Sequence, residues 1–343
     1  MTLLKTYIIA SIGSLLFYFF QLPLPWVLGA VFALLLYKVT VAASLDSSPI
    51  LKQVSFALLG IQLGSAFTKG TFTEIGPYLF PYLLFSILLI SISLLNGYLV
   101  SKWSNVQKDT SMLATIPGGL SASIALSDAL ESNTVLVTIF HTIRLMAVLF
   151  IIPFIATHFL SGGDSSGSFS LPDASEGAWY TLIIYIACFF LARKLNNKIP
   201  AALVIVPMIL VGTLQSIGMP MYILPSFLFV LAQVTLGVDL GHKVSVKDIR
   251  KAGKYCLIYF GLSLWLILLS FGFGYLFSKW MGVSFATGVL SVAPGGLLEM
   301  ALTAQSVGGD PAIVSSLQLV RLLIVVMIVP IGLKWFLEKR SYS

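Results

Sequence analysis

The chain has 343 residues, 58% of them hydrophobic and only 10% charged, against about 25% charged in a soluble domain. That composition leaves no room for a sizeable soluble domain and points to an all-α polytopic membrane protein. The net charge of +7 reads as the lysines and arginines that orient helices in a bilayer, not as a nucleic-acid surface. Cys188 and Cys256 both lie in apolar runs and support neither a disulfide framework nor a metal motif.

Taken in order, the first half holds six apolar segments, at about Leu4 to Phe20, Trp26 to Val39, Ile50 to Thr68, Gly76 to Trp103, Met112 to Leu130 and Thr134 to Leu160. The second half holds six more, at about Trp179 to Leu195, Ala201 to Ile217, Pro225 to Gly241, Tyr255 to Trp280, Phe285 to Val307 and Ala312 to Leu337. Several approach or exceed the roughly 20 residues needed to span a bilayer. The N-terminal run has the outline of a signal peptide, but no small-residue cleavage site follows it, so it reads as a retained first helix. The Leu22 to Pro25 turn suits a helix start.

The halves coincide when the chain is slid by 177 residues without a gap. Pro117-Gly118-Gly119-Leu120 falls on Pro294-Gly295-Gly296-Leu297, Arg144 on Arg321 and Pro153 on Pro330. Gly60 and Gly64 fall on Gly237 and Gly241, and Gly97-Tyr98 on Gly274-Tyr275. This reads as an internal duplication, with repeat 1 over 1–160, an extracytoplasmic linker over 161–177, repeat 2 over 178–338 and a cytoplasmic tail over 339–343.

Loop charges set the expected orientation. Lys5, Lys38, Lys52, Lys102 and Lys108 assign their loops in the first half to the cytoplasm, and Arg193, Lys194, Lys198, Lys243, Lys247, Arg250, Lys251 and Lys254 do so in the second. The linker carries Asp164, Asp173 and Glu176 with no lysine or arginine, which assigns it outside; Lys334, Lys339 and Arg340 keep the C-terminus inside. The halves then have inverted topology, which needs an odd number of crossings in each. We expect about five transmembrane helices per half plus one broken or re-entrant Pro-Gly-Gly segment.

Broken backbone and ionisable side chains are costly at membrane depth and mark candidate sites. The Pro117-Gly118-Gly119 and Pro294-Gly295-Gly296 turns would each start a helix whose free N–H groups face a cavity. Glu299 lies one turn further on, where the first half has Ala122, and suits a proton- or cation-handling carboxylate. Arg144 and Arg321 each need a partner: a carboxylate, carbonyls at a helix break or an anionic substrate. His141 and Gln318, three residues before them, share their helix faces. The third segments add Gln62 and Asp239 between glycines, with Gln233 and Thr235 deeper.

The repeated Pro-Gly-Gly-Leu, the Leu22-Pro23-Leu24-Pro25-Trp26 entry to the second segment and the third-segment glycines resemble the AbrB family of duplicated membrane proteins. The resemblance covers nearly the whole chain and is most specific at Pro294 to Arg321; the first copy departs from it at Ala122-Ser123 and His141. It implies a likeness to cation/proton antiporters and anion transporters, with inverted repeats and crossed discontinuous helices, and a bacterial plasma-membrane location. Members are often labelled ammonia monooxygenase or regulator of gene expression. The family shares its name with a small soluble transition-state DNA-binding protein that this chain does not resemble.

The expected function is therefore a secondary transporter. A small solute or ion would bind near the midplane between the two Pro-Gly-Gly segments, coupled by Glu299 to protons or sodium. The alternative is a membrane-embedded sensor that influences gene expression without touching DNA. An integral-membrane oxygenase would need clustered ligands, and His141, His158 and His242 have no metal-ligand spacing. No enzymatic activity, cofactor, metal or nucleic-acid partner is expected. The bilayer is the surrounding partner, and glycines on several helices allow a homodimer.

Overall fold

The computed structural model describes residues 2–41, 45–104, 106–117, 127, 132–160, 179–219, 221–245 and 253–341. These form thirteen α-helices, with no strand among the described residues: α1 (Thr2–Phe19), α2 (Pro25–Val41), α3 (Pro49–Ser65), α4 (Thr71–Trp103), α5 (Lys108–Thr115), α6 (Thr134–Ile155), α7 (Thr181–Leu195), α8 (Ala202–Ser216), α9 (Ser226–Lys243), α10 (Lys254–Met281), α11 (Phe285–Val292), α12 (Leu297–Ser306) and α13 (Pro311–Ser341). A π-turn, Ala156–Leu160, extends α6 just after Pro153. The expected linker at 161–177 and the glycines Gly118 and Gly119 lie outside the described residues.

Among the described residues, five stretches are long and apolar enough to cross a membrane: Thr2–Phe19, Thr71–Trp103, Thr134–Leu160, Tyr255–Met281 and Pro311–Val329. Their outward faces are apolar too. Leu4, Leu15, Leu95, Leu257 and Leu268 are all well exposed, which water would penalise and lipid does not. The helix starts recur at the spacing seen in the sequence. Pro25 and Ala202, Pro49 and Ser226, Lys108 and Phe285, and Thr134 and Pro311 each begin a helix 177 residues apart.

Local chemistry accounts for these boundaries. Ser48 caps α3 by accepting from Leu51 N, and Pro49 occupies the first turn, where its missing N–H costs nothing. Both second segments follow a non-glycine residue in the left-handed region, Leu24 (φ 43°) before α2 and Ala201 (φ 54°) before α8. One boundary differs from the sequence reading. Helix α4 begins at Thr71, five residues ahead of the expected Gly76, and runs through Pro77 and Pro81. Prolines remove donors from a helix, but membrane helices tolerate them where neighbouring groups meet the freed carbonyls.

The chain divides into two compact units that cut across the sequence halves. Unit 1 comprises residues 1–76, 156–246 and 301–313, and unit 2 comprises 77–155, 247–300 and 314–343. The first three segments of both halves thus make unit 1, and the later segments make most of unit 2. In unit 1, α2 packs on α9 while α3 packs on α8. A Cβ on Gly60 would strike the carbonyl oxygen of Val204, and one on Gly237 would lie 2.6 Å from that of Val27. Val27 and Val204 are themselves 177 apart, so one close helix contact is built twice with the halves exchanged.

Unit 2 packs α5 on α6 and α10 on both α6 and α11. The Phe140 and Tyr259 rings stack at 3.7 Å. Tyr259 donates its hydroxyl to Ser111 Oγ at 2.6 Å, and Ser111 donates to Gly97 O at 2.6 Å. This polar chain fixes α5, which leads into the first helix break.

Candidate functional site

Each break begins with a short helix that stops before a proline. Helices α5 and α11 have eight residues apiece and end at Thr115 and Val292. The next residues, Ile116 (φ −56°, ψ 122°) and Ala293 (φ −53°, ψ 138°), are extended. That is the conformation a following proline imposes by clashing with the α region. The last carbonyls of a helix have no partner within it, and in a membrane no water reaches them.

The two arginines meet that need. Arg144, on α6, donates Nη1 to Thr115 O at 3.3 Å and to Ile116 O. Arg321, on α13, donates Nη1 to Val292 O at 3.3 Å and to Ala293 O, and Nη2 to Gly295 O. The Nη1 acceptors of the two arginines match at 177 residues. Of the three partners considered from sequence, the structure supplies carbonyls at a helix break. Both arginines are buried, with their charge set against the negative ends of two helix dipoles.

Their neighbours extend the network. His141 places ring nitrogens 3.1–3.2 Å from Arg144 Nη2. Gln318 accepts from Arg321 Nη2 through Oε1. Its Nε2 donates to Leu290 O, Ser291 O and Ala293 O at 2.8, 3.0 and 3.1 Å. Ser93, on α4, also donates to Thr115 O. Sequence reasoning missed this serine, because a lone hydroxyl in an apolar helix carries no pattern that reveals its acceptor.

Beyond the second break, Gly296 accepts from Met300 N at 3.1 Å and so opens α12. A Cβ on Gly295 would meet the Met300 side chain, and one on Gly296 would meet the Glu299 carboxylate. Glu299 is third in α12 and lies over the residue before it, the place where a carboxylate offsets a helix's positive end.

These groups line one cavity of about 110 Å³ within unit 2. Of the residues singled out in sequence, it gathers Pro117, His141, Arg144, Pro294, Gly295, Gly296, Glu299, Gln318 and Arg321. Leu145, Val148, Leu149, Leu297, Met300 and Leu322 supply an apolar wall that no sequence signal had marked.

Four singled-out residues lie elsewhere, in unit 1. Gln62 donates to Gln305 Oε1 at 3.1 Å. Thr235 donates to Leu231 O at 2.9 Å on its own helix, and Gln233 is half-buried on α9. Asp239 pairs with Lys52 at 2.6 Å and Lys243 at 2.8 Å. Nearby, Lys38 donates to Gly241 O, His242 O and Val244 O at 2.7–2.9 Å, closing the C-terminal end of α9. Among the described residues, no group of three His, Cys, Asp or Glu side chains is placed to hold a metal.

Comparison with known proteins adds the family. The AbrB family, described as "Transition state regulatory protein AbrB", matches residues 26–337. The chain is 26% identical over 289 residues to "Uncharacterized protein YhjN" of Bacillus subtilis (strain 168), covering 80% of this chain and 75% of that protein. It is 22% identical over 285 residues to "Putative regulator AbrB" of Escherichia coli (strain K12), covering 80% and 79%. The match takes in both helix breaks, both arginines and Glu299, and the chain, a protein with several membrane helices, belongs to the AbrB family.

Proposed function

We propose that this protein is a secondary transporter of a small solute or ion, coupled to protons or sodium through Glu299. The observation that carries the reading is the convergence of two helix ends, two buried arginines and one carboxylate on a single cavity. Discontinuous helices that leave backbone ends at a cavity are how many transporters hold substrates and coupling ions. The matched helix starts and the doubled Gly60 and Gly237 contacts support an internal duplication. On this reading the repeats are inverted, both termini are cytoplasmic, the protein sits in the plasma membrane, and alternating access moves one set of helices against the other.

A second reading is favoured by the name of the Escherichia coli relative, "Putative regulator AbrB". The same cavity would detect a metabolite and influence gene expression without contact to DNA. Ligand binding without net flux distinguishes it.

Two experiments test the transport reading. Reporter fusions at Gly163, Lys247 and the C-terminus should report outside, inside and inside; Gly163 inside would sink the inverted arrangement. In reconstituted vesicles, Glu299→Gln should abolish coupled flux while the variant still folds, and normal pH-dependent flux in that variant would remove Glu299 from the mechanism.

A further inference from the structure

We infer that the cavity takes a small monoanion together with one proton carried by Glu299, and that sodium has no part in the coupling. This rests on the transport reading above. Where discontinuous helices bind ions, the C-terminal ends and unwound carbonyls coordinate cations while N-terminal ends face anionic groups. Here the carbonyl side of each break is already taken. Thr115, Ile116, Val292, Ala293 and Gly295 all accept from the two guanidinium groups. Gln318 adds donors to Leu290, Ser291 and Ala293. The arginines stand where a coordinated sodium would need its oxygen ligands.

What remains in the cavity favours negative charge. Arg144 and Arg321 line the same space and repel one another electrostatically. Among the described residues, the other titratable groups facing Glu299 across the cavity are His141 on α6 and these two arginines; Tyr82 on α4, fully buried, is within electrostatic reach of Arg321. Two cations therefore meet one carboxylate. With Glu299 ionised, its carboxylate lies over Gly296 and offsets part of that charge. With Glu299 protonated, the offset is gone, and an anion entering the cavity replaces it. The proton adds to the carboxylate on one side of the membrane and leaves it, with the anion, on the other; no bond other than O–H forms or breaks.

Size narrows the class further. An apolar cavity of about 150 Å³ holds benzene, with its six heavy atoms. By that measure the 110 Å³ here accommodates about four non-hydrogen atoms, the size of nitrate or a short monocarboxylate.

The test uses the purified full chain in lipid nanodiscs, with acetate, lactate and nitrate as probes. Each is supplied as its sodium or its potassium salt, at mildly acidic and mildly alkaline pH, and affinity is read from the shift in unfolding temperature. The expected result is binding of at least one probe, weakening about tenfold per pH unit as pH rises above the Glu299 pKa, because one proton is taken up per anion. Sodium and potassium salts should behave alike, and Glu299→Gln, a mimic of the protonated acid, should bind equally well at both pH values. Binding that strengthens in sodium, binding by the unaltered chain that ignores pH, or no binding of any probe overturns the inference. In reconstituted vesicles, flux of a cation probe such as methylammonium in the absence of anion binding would also overturn it, yet would leave the transport reading intact. Absence of all flux would sink that reading separately.

Discussion

If the arginines hold the breaks open, removing them should cost folding stability before it costs anything else, and the two copies should not cost the same. In Arg321→Met, Val292 O and Gly295 O lose the guanidinium, and Gln318 Oε1 loses its donor. Ala293 O keeps Gln318 Nε2 at 3.1 Å. Each unsatisfied buried acceptor costs about 1–3 kcal/mol, while removal of a buried charge returns part of its desolvation energy. The net expectation is a loss of about 3–5 kcal/mol, a large share of a total that is commonly about 5–15 kcal/mol. In Arg144→Met, Thr115 O keeps the hydroxyl of Ser93, so Ile116 O is the principal carbonyl exposed. The expected loss is about 1–3 kcal/mol. Arg321→Lys should recover roughly half of the Arg321 deficit, since an ammonium keeps the charge but cannot fork between carbonyls. The assay is denaturant unfolding of the purified variants in one detergent. Methionine variants within about 0.5 kcal/mol of the parent would refute the capping role and reassign the arginines to ligand contact alone.

Gly60→Ala and Gly237→Ala should each destabilise by about 1–3 kcal/mol, because their Cβ atoms would press on the carbonyls of Val204 and Val27; unchanged thermal unfolding would refute the close α3–α8 and α2–α9 packing. Ala201→Gly should raise stability by about 0.5–1 kcal/mol by relieving a left-handed alanine at φ 54°, and a lower unfolding temperature would count against that strain. Asp239→Asn should cost about 1 kcal/mol, since Lys52 and Lys243 are each more than a third exposed and water replaces the lost partner. That difference should shrink in high salt.

The ends of α5 and α11 were legible because they depend on local sterics. Pro117 and Pro294 bias the residue before them out of the helix, and the 177-residue repeat marks both places. The start of α4 was not legible, because Pro77 and Pro81 carry the local signature of helix breakers while the surrounding packing lets the helix continue. The arginines' choice of partner was also hidden. Their acceptors lie 28 and 29 residues earlier in each half, a separation that only the packing of α6 and α13 brings together. The position of Glu299 had a local cue that went unread: Gly-Gly-Leu-Leu-Glu places an acid at the third helical residue, where it folds back on the helix start. Gln62, Gln233, Thr235 and Asp239 stand out in sequence beside the residues of the helix ends because polar residues in apolar segments look alike. Whether such a residue lines the cavity or closes a contact in unit 1 depends on tertiary packing.

The division of labour among the cavity's charges constrains which of them can move. Each guanidinium is tied to carbonyls at a helix end and to the residue three positions before it, so neither can follow a substrate without uncapping a helix inside the membrane. Glu299 is differently placed. It sits on a helix of ten residues, above a glycine pair, and offsets a helix start through a side chain with three rotatable bonds. The halves also differ at this very site: Glu299 answers to Ala122, and Gln318 to His141. The two halves thus each supply a helix end capped by an arginine, which together set a fixed positive field, while the carboxylate belongs to one half alone. On the transport reading, that asymmetry limits the protons carried on carboxylates to one per cycle, because the first half has Ala122 at the position equivalent to Glu299.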